Sequence, residues 1–568
     1  MSTFPLRNLG AIGVIPDANS YDLPPNALSD CNNVIFNEGR VQRAPIFKNL
    51  FNAIRSSLAY DASIGSYDSQ VNTYESAEGD PADAVRFVGS FQDPGTGEVV
   101  FVCDNDGVVR AYPNGILSFV TPVGSLVTNN EPWTHAQVGG ISFLARKAMH
   151  PYARNISSDS LYSLAAGDWP VGDSAAIARP FLDFIILLNV TKSGVEYPTM
   201  VKWCNPIQYG SPITSINWDA TNTNYIAGEN VLAEIKTPLR DGGVLGNAFV
   251  LYAQDQVWSM EFTGSANVFN FRRLFPTGGI INTNCWAEVE GKHFVFGEND
   301  IYVHDGNSKR SIADKRIRKK VFGTLNREKQ KSFYVLHDSV SNLIHFCYQT
   351  SVDEVGFSDT LFCNKAAIYN YNDDTWSFMD LPNTVGGAEA NITLASSIYA
   401  DMNTTYSLFN TNYVSFEGST DKMSIMLGVT DPANNLTESR IYAIDLPSNG
   451  IINLPIEEET LKPAFFERVG VDLDEGGSAI RNYKIITSFL PQANVGNNSD
   501  YLRLYLGASD LPNAAIDWKA VKDFYPSVDY KMDAMVAGRY LGYRVEFFGP
   551  ENFNMSGFDT ELKELSRR

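Results

Sequence analysis

One phrase occurs twice between Gly246 and Asn326, and it limits the possible folds more than any other part of the chain. The first copy is Ala248-Phe249-Val250-Leu251-Tyr252, a polar turn Ala253-Gln254-Asp255-Gln256, then Val257-Trp258-Ser259-Met260. The second is Lys292-His293-Phe294-Val295-Phe296, the turn Gly297-Glu298-Asn299-Asp300, then Ile301-Tyr302-Val303-His304. Each is an apolar run, a tight turn, and a strand opening on a β-branched residue followed by an aromatic, which is the grammar of a β-hairpin. Val257 and Ile301 lie 44 residues apart, the spacing of successive propeller blades. A blade cannot bury both of its faces alone, so ring closure has to supply the core and remove free edges.

The β-branched–aromatic pair returns at Ile368-Tyr369 and Ile441-Tyr442, after steps of 67 and 73 residues, so the connections lengthen toward the C-terminal side. The hairpin pattern starts at Val85, where Arg86–Phe91 and Glu98–Cys103 flank the turn Asp93-Pro94-Gly95-Thr96-Gly97. Residues 85–455 suit a β-propeller of six or seven four-stranded blades, and six are expected, with Trp258, Tyr302, Tyr369, Trp376 and Tyr442 as blade-core aromatics. Residues 1–60 read as an extended, proline-bearing N-terminal segment that hugs a surface, with a small hairpin from Val34-Ile35-Phe36 to Arg40-Val41. Residues 61–84 belong to a polar loop, since Ser56–Asp83 is rich in Ser, Asp, Gly and Tyr without a period. Past Leu461 the pattern changes to alternating strands separated by Gly/Asn turns, such as Tyr483–Phe489, Leu502–Leu506 and Tyr540–Phe548. Residues 456–568 are expected to form a smaller antiparallel β domain with a charged tail. The fold class is all-β.

The chain carries 65 acidic against 44 basic residues, a net charge of −21. A protein that coats nucleic acid needs a basic surface to release counterions, and this balance argues against one. DNA could still pass it without sticking. The longest apolar run, near Phe181–Val190, is far shorter than the roughly 20 residues of a membrane helix, so no membrane insertion is expected. Met1–Arg7 lacks a charged-then-apolar signal pattern, and six scattered cysteines without a CxxC pair suit reduced thiols; synthesis in a cytoplasm is expected.

The acidic balance reverses over Lys309–Lys331. Lys309, Arg310, Lys315, Arg316, Arg318, Lys319, Lys320, Arg327, Lys329 and Lys331 face only Asp314 and Glu328, a local net of +8. Ile317, Val321 and Leu325 stand at i, i+4 and i+8, so a short helix could bury them and display the charges. Three roles compete: a solvated face, attraction to the acidic surface of a neighbouring subunit, and direct contact with DNA. The first seven of these cations are the candidate subunit contacts.

Catalytic and metal signatures are thin. Asp104-Asn105-Asp106-Gly107 and Asp472-Leu473-Asp474-Glu475-Gly476 resemble fragments of calcium loops, but the twelfth positions are Gly115 and Tyr483 rather than Glu. His293 and His304 could meet in one hairpin, yet the histidines show no HxH or HxxxH pair, and ordinary strand histidines fit better. The sequence holds no Walker loop, GxSxG or HExxH. Asp373-Asp374-Thr375-Trp376 resembles a sialidase Asp-box but lacks its glycine. No cofactor, metal or enzymatic activity is expected.

The string Leu23-Pro24-Pro25-Asn26-Ala27-Leu28-Ser29-Asp30-Cys31-Asn32-Asn33-Val34, followed by Asn37-Glu38-Gly39-Arg40-Val41-Gln42-Arg43, resembles the opening of tail nozzle proteins of short-tailed bacteriophages, also called packaged-DNA stabilisation or tail tubular proteins. Phe275-Pro276-Thr277-Gly278-Gly279, Gly297–Tyr302 with Asp305-Gly306, the run Ile368–Pro382 and Ala537-Gly538-Arg539-Tyr540-Leu541-Gly542-Tyr543-Arg544-Val545 fit the same resemblance. It implies a structural protein of the virion tail, made in the host bacterial cytoplasm. Six copies would form a ring below the portal and the adaptor (head-to-tail connector) and would meet tail fibres or tail needle and tip proteins. Such a tube retains packaged double-stranded DNA and conducts it at ejection without specific binding. The alternative is a monomeric propeller that binds a host-surface glycan or receptor, which should display exposed aromatics on loops.

Overall fold

The computed structural model describes the chain except residues 1, 56–84, 94–96, 105–108, 113–117, 121, 123–128, 155–160, 165–168, 171, 266, 351–360, 394–419, 430–437, 447–461, 473–483, 512–513 and 565–568. The polar tract from Ser56 and most of both calcium-loop-like fragments lie outside the described residues.

Strands dominate, and the propeller is visible in the sheet order. Four-stranded antiparallel sheets follow one another as blade 1 (Val85 to Phe119), blade 2 (Thr134 to Ser163), blade 3 (Ser174 to Val231), blade 4 (Leu239 to Phe275) and blade 5 (Trp286 to Ser311). The first strand of each is innermost, and these inner strands succeed one another around a centre. Second strands such as Ile141–Ala145 and Leu343–Tyr348 are buried at every residue, because neighbouring blades cover both faces of each sheet. That is why they read as continuous apolar runs rather than alternating ones.

Six propeller sheets were expected and six are present, but the sixth has seven strands and carries two blades. The strand Thr375–Thr393 is shared between them. Its first part closes blade 6 against Cys363–Asn370; its second part opens blade 7 against Thr420–Val429. The change falls at Pro382-Asn383, where Asn383 has φ 47° and the register shifts between Thr384 and Gly386. The proline has no N–H to give a ladder, and asparagine tolerates left-handed backbone, so the strand can turn there between its two ladders. Blade 7 takes its outer strand, Ile46–Arg55, from the N-terminal side by pairing with Glu438–Asp445. The ring therefore holds seven four-stranded blades and closes where Val85–Asp93 runs beside Thr375–Thr393. Hairpin counting over 85–455 misses one blade, because a shared strand and a strand borrowed from far away leave no separate hairpin signature.

Val257-Trp258, Ile301-Tyr302, Ile368-Tyr369 and Ile441-Tyr442 occupy the third strands of blades 4, 5, 6 and 7. Each step between them is one blade. Trp258, Tyr302, Tyr369, Trp376 and Tyr442 are all buried.

The second domain has two facing sheets. One runs Met532–Gly538, Lys484–Val495, Phe553–Glu564, Arg40–Arg43, Val34–Asn37; the other runs Asp517–Phe524, Leu502–Ser509, Tyr540–Phe547, Ala464–Asp472, Asp30–Asn32. Between them Tyr543 meets Phe558 at 4.8 Å and Phe547 meets Phe553 at 5.1 Å between ring centroids. The N-terminal segment is extended and its hairpin forms. It does not lie on a surface, however. It donates an edge strand to each sheet, and Ser2–Arg7 pairs with Phe553–Glu564. Val34, Ile35, Phe36 and Val41 are buried, which a surface strap would have left wet at a cost of about 25 cal/mol for each Å² of apolar area.

Candidate functional site: the basic segment and the central channel

The basic segment forms the outer strand of blade 5 (Lys309–Ser311), a seven-residue helix α1 (Arg318–Thr324) and a 3-10 turn (Arg327–Ser332). Ile317, Val321 and Leu325 are buried beneath it, as their spacing predicts. The helix has no cap of its own, and Asp17 of the N-terminal segment supplies one, accepting from Lys319 N at 2.6 Å and Lys320 N at 3.0 Å. A carboxylate at this end also suits the helix dipole.

Most of the segment's charge is spent within the chain. Arg316 pairs with Asp374 at 2.9 Å and Lys320 with Asp30. Arg318 donates to Asn299 O at 2.8 Å and approaches Asp314 at 3.5 Å. Arg327 reaches Glu298 at 3.3 Å and Lys331 reaches Glu131 at 2.8 Å. Lys309 donates to Thr277 O at 3.1 Å and sits 4.1 Å from the Tyr302 ring centroid. Arg310, Lys315 and Lys319 are exposed and have no ion-pair partner among the described residues. The cluster is thus first a clamp that binds the N-terminal segment to blades 5 and 6, with these three exposed cations and the half-buried Lys329 left over among the described residues. Arg310 borders a cleft of about 320 Å³ beside Lys292, Glu290, Asp305, Tyr369 and Tyr371.

His293 and His304 do meet, with ring centroids 5.5 Å apart. Every ring nitrogen is already used. His293 Nε2 donates to Val244 O at 2.7 Å, so its Nδ1 accepts from Tyr252 Oη at 2.7 Å. Tyr252 Oη in turn accepts from His304 Nε2 at 2.6 Å, and His304 Nδ1 accepts from Gly306 N at 3.3 Å. Burial holds the imidazoles neutral, pushing His293 down to about 4 and His304 to about 3. This chain of bonds locks blade 4 to blade 5 and leaves no lone pair for a metal. Among the described residues no group of three His, Cys, Asp or Glu could hold an ion, and all six cysteines are free and buried.

The channel at the ring's centre was not foreseen. It encloses about 300 Å³ and is lined from the inner strands by Arg86, Ser90, His135, Arg179, Asn284, Trp286, Tyr334 and Glu389, with Lys331 at its wall. One polar node ties four blades together. Arg179 grips Asp241 through two bonds of 2.8 Å and Asn284 Oδ1 at 2.6 Å. Asn284 N donates to Asp241 at 2.7 Å, and its Nδ2 donates to Trp133 O at 2.9 Å. The bidentate fork suits a guanidinium facing a fully buried carboxylate. The available signal was charge inside an apolar strand: Arg179 alone within Ser174–Phe181, and the pair Arg240-Asp241 within Leu239–Leu245.

No family model and no curated protein matches the chain. Among solved structures it is similar to the WD40 β-propeller domain of Doa1, at 12% identity over 64% of this chain and 93% of that one, with a TM-score of 0.31. It is also similar to the Cps50 (Swd1) β-propeller domain of Myceliophteria thermophila, at 6% identity over 63% and 96%, TM-score 0.36. A third is the computationally designed protein Ika8, at 8% identity over 64% and 96%, TM-score 0.33. Likenesses this weak carry no function, and the propeller assignment rests on the chain's own sheet order: an all-β propeller whose N-terminal segment joins it to a second β domain.

Proposed function

We propose that this chain is a structural, non-catalytic subunit of a short-tailed phage tail, one of six copies in a nozzle ring that retains packaged DNA and conducts it at ejection. One observation carries the reading. Two of the stretches that resemble nozzle proteins, 23–43 and 537–545, are about 500 residues apart in sequence. They nevertheless lie in one domain, since Asp30–Asn32 pairs with Ala464–Asp472, which pairs with Tyr540–Phe547. Two separate patches of resemblance are thus parts of a single structural unit. The open edge of that domain also suits assembly: Val521, Val528, Tyr530 and Met535 are exposed there, up to 82% for Val528 and Met535, an apolar surface of the kind neighbours cover.

Docking between copies then rests on Arg310, Lys315 and Lys319, whose charge is unspent, against the acidic remainder of a neighbour. The net charge of −21 would keep the conduit from gripping phosphate, over a Debye length of roughly 8–10 Å. Light scattering and negative-stain microscopy of the purified protein test the proposal. A closed ring is expected, and a monomer at all concentrations refutes it. The glycan-binding alternative is favoured by Tyr209 and Tyr225, 70% and 42% exposed on the long loop between the last two strands of blade 3. A monomer that is retained on a host-polysaccharide column would establish that alternative instead.

A further inference from the structure

The central channel has unspent hydrogen-bonding capacity, and two of its three unpartnered buried atoms, Arg86 Nε and Trp286 Nε1, can only donate. Three of its lining residues carry buried nitrogens without a partner: Arg86 Nε, His135 Nδ1 and Trp286 Nε1. No lining residue has a buried oxygen in that condition. Buried polar atoms without partners are rare in folded proteins and call for a missing ligand or water.

Charge separates these two possibilities. Arg179 is neutralised by Asp241, Lys331 by Glu131, and Glu389 by Lys422 at 2.9 Å. Among the described residues Arg86 has only neutral partners, donating to Leu361 O at 2.8 Å and to Asn130 Oδ1 at 3.3 Å. Those two bonds use two of the guanidinium's five N–H groups. Water could meet the remaining donors, but it would leave a half-buried cation without a counter-charge among the described residues. Burial already draws the Arg86 guanidinium down to about 10.

We propose that the propeller channel is a binding site for a small oxyanion, a phosphate- or carboxylate-bearing ligand held by the Arg86 guanidinium with the Trp286 indole N–H as a second donor. At about 300 Å³ the space exceeds a single inorganic ion and lies at the small end of ligand pockets. The site meets the basic segment only at its end, Lys331–Ser332, and does not depend on ring assembly.

Isothermal titration of the full chain with sodium phosphate and with sodium citrate, at ionic strength matched by sodium chloride, tests it. Saturable one-to-one binding of at least one anion is expected. Arg86→Met should weaken it by about ten- to a hundredfold, the loss of a charge-assisted bond. Trp286→Phe should weaken it by about fivefold, the loss of one neutral bond, and it decides the matter if Arg86→Met does not fold. Binding of phosphate alone assigns a phosphate-class ligand, and binding of citrate alone a carboxylate-class one. No saturable heat with either anion overturns the proposal, as does affinity left unchanged in the folded variants.

Discussion

Replacing Tyr252 with phenylalanine removes one oxygen from the interior of the propeller and disconnects two histidines. Phenylalanine keeps the ring, so the packing against Trp286 (6.5 Å between centroids) survives and the change is almost purely one of hydrogen bonding. Tyr252 is fully buried, so no solvent enters to compensate. His293 Nδ1 loses its donor and His304 Nε2–H loses its acceptor. Each orphaned buried group costs ~1–3 kcal/mol, so with two of them the variant should be less stable by roughly 2–6 kcal/mol. That is a large part of the ~5–15 kcal/mol that separates a typical native state from its unfolded chain. Urea unfolding at pH 7.5, followed by tryptophan fluorescence, measures it as a lower midpoint at unchanged slope. A double-mutant cycle with His304→Leu should show coupling of about 0.5–3 kcal/mol, since either change alone breaks the same bond. A loss below about 0.5 kcal/mol, within the range of an ordinary surface change, would refute the assigned tautomers and the claim that this chain of bonds locks the two blades.

Four further outcomes follow from the same structure. His135, His293, His304 and His345 are held neutral by burial, down to about 3, 4, 3 and 4, while the unfolded chain protonates them near 6.5. Stability should therefore be at its plateau above pH 6.5 and fall as pH drops toward 4, at up to about 1.4 kcal/mol per pH unit for each histidine; proton uptake on unfolding at pH 5.5 checks it, and no uptake contradicts it. Asp17→Ala removes the cap on α1 at a cost of ~1 kcal/mol, so hydrogen exchange at the Lys319 and Lys320 amides should speed up while the blade cores keep their protection. Gly557→Ala sets a methyl group against the Leu6 carbonyl and should release Ser2–Arg7 from the second domain, which faster amide exchange in that strand would report. Arg310→Glu, Lys315→Glu and Lys319→Glu together should leave the monomer folded and block ring formation; unchanged assembly removes these three from the interface.

The propeller was legible because its grammar is local. Val257-Trp258, Ile301-Tyr302, Ile368-Tyr369 and Ile441-Tyr442 mark one third strand per blade, and period-two strands with tight turns need only neighbours in sequence to be recognised. The helix under the basic segment was legible for the same reason, from Ile317, Val321 and Leu325. Nothing local shows that Thr375–Thr393 serves two blades, that Ile46–Arg55 completes the seventh, or that Asp30–Asn32 is an edge strand some 430 residues from its partner. Strand pairing has no sequence signature at that distance, because each strand presents only backbone N–H and C=O groups to its neighbour. The charges divide along the same line. The sequence alone determined that Lys309–Lys331 is a basic island on an acidic chain. Only the tertiary structure decided that Asp30, Glu131, Glu298, Asp314 and Asp374 pair with five of its cations, leaving the exposed Arg310, Lys315 and Lys319 without such a partner among the described residues, and that Arg86, His135 and Trp286 share one channel. Composition counts charges wherever they lie, whereas an ion pair or an unmet hydrogen bond exists only once the fold has set atoms within about 3–4 Å of each other.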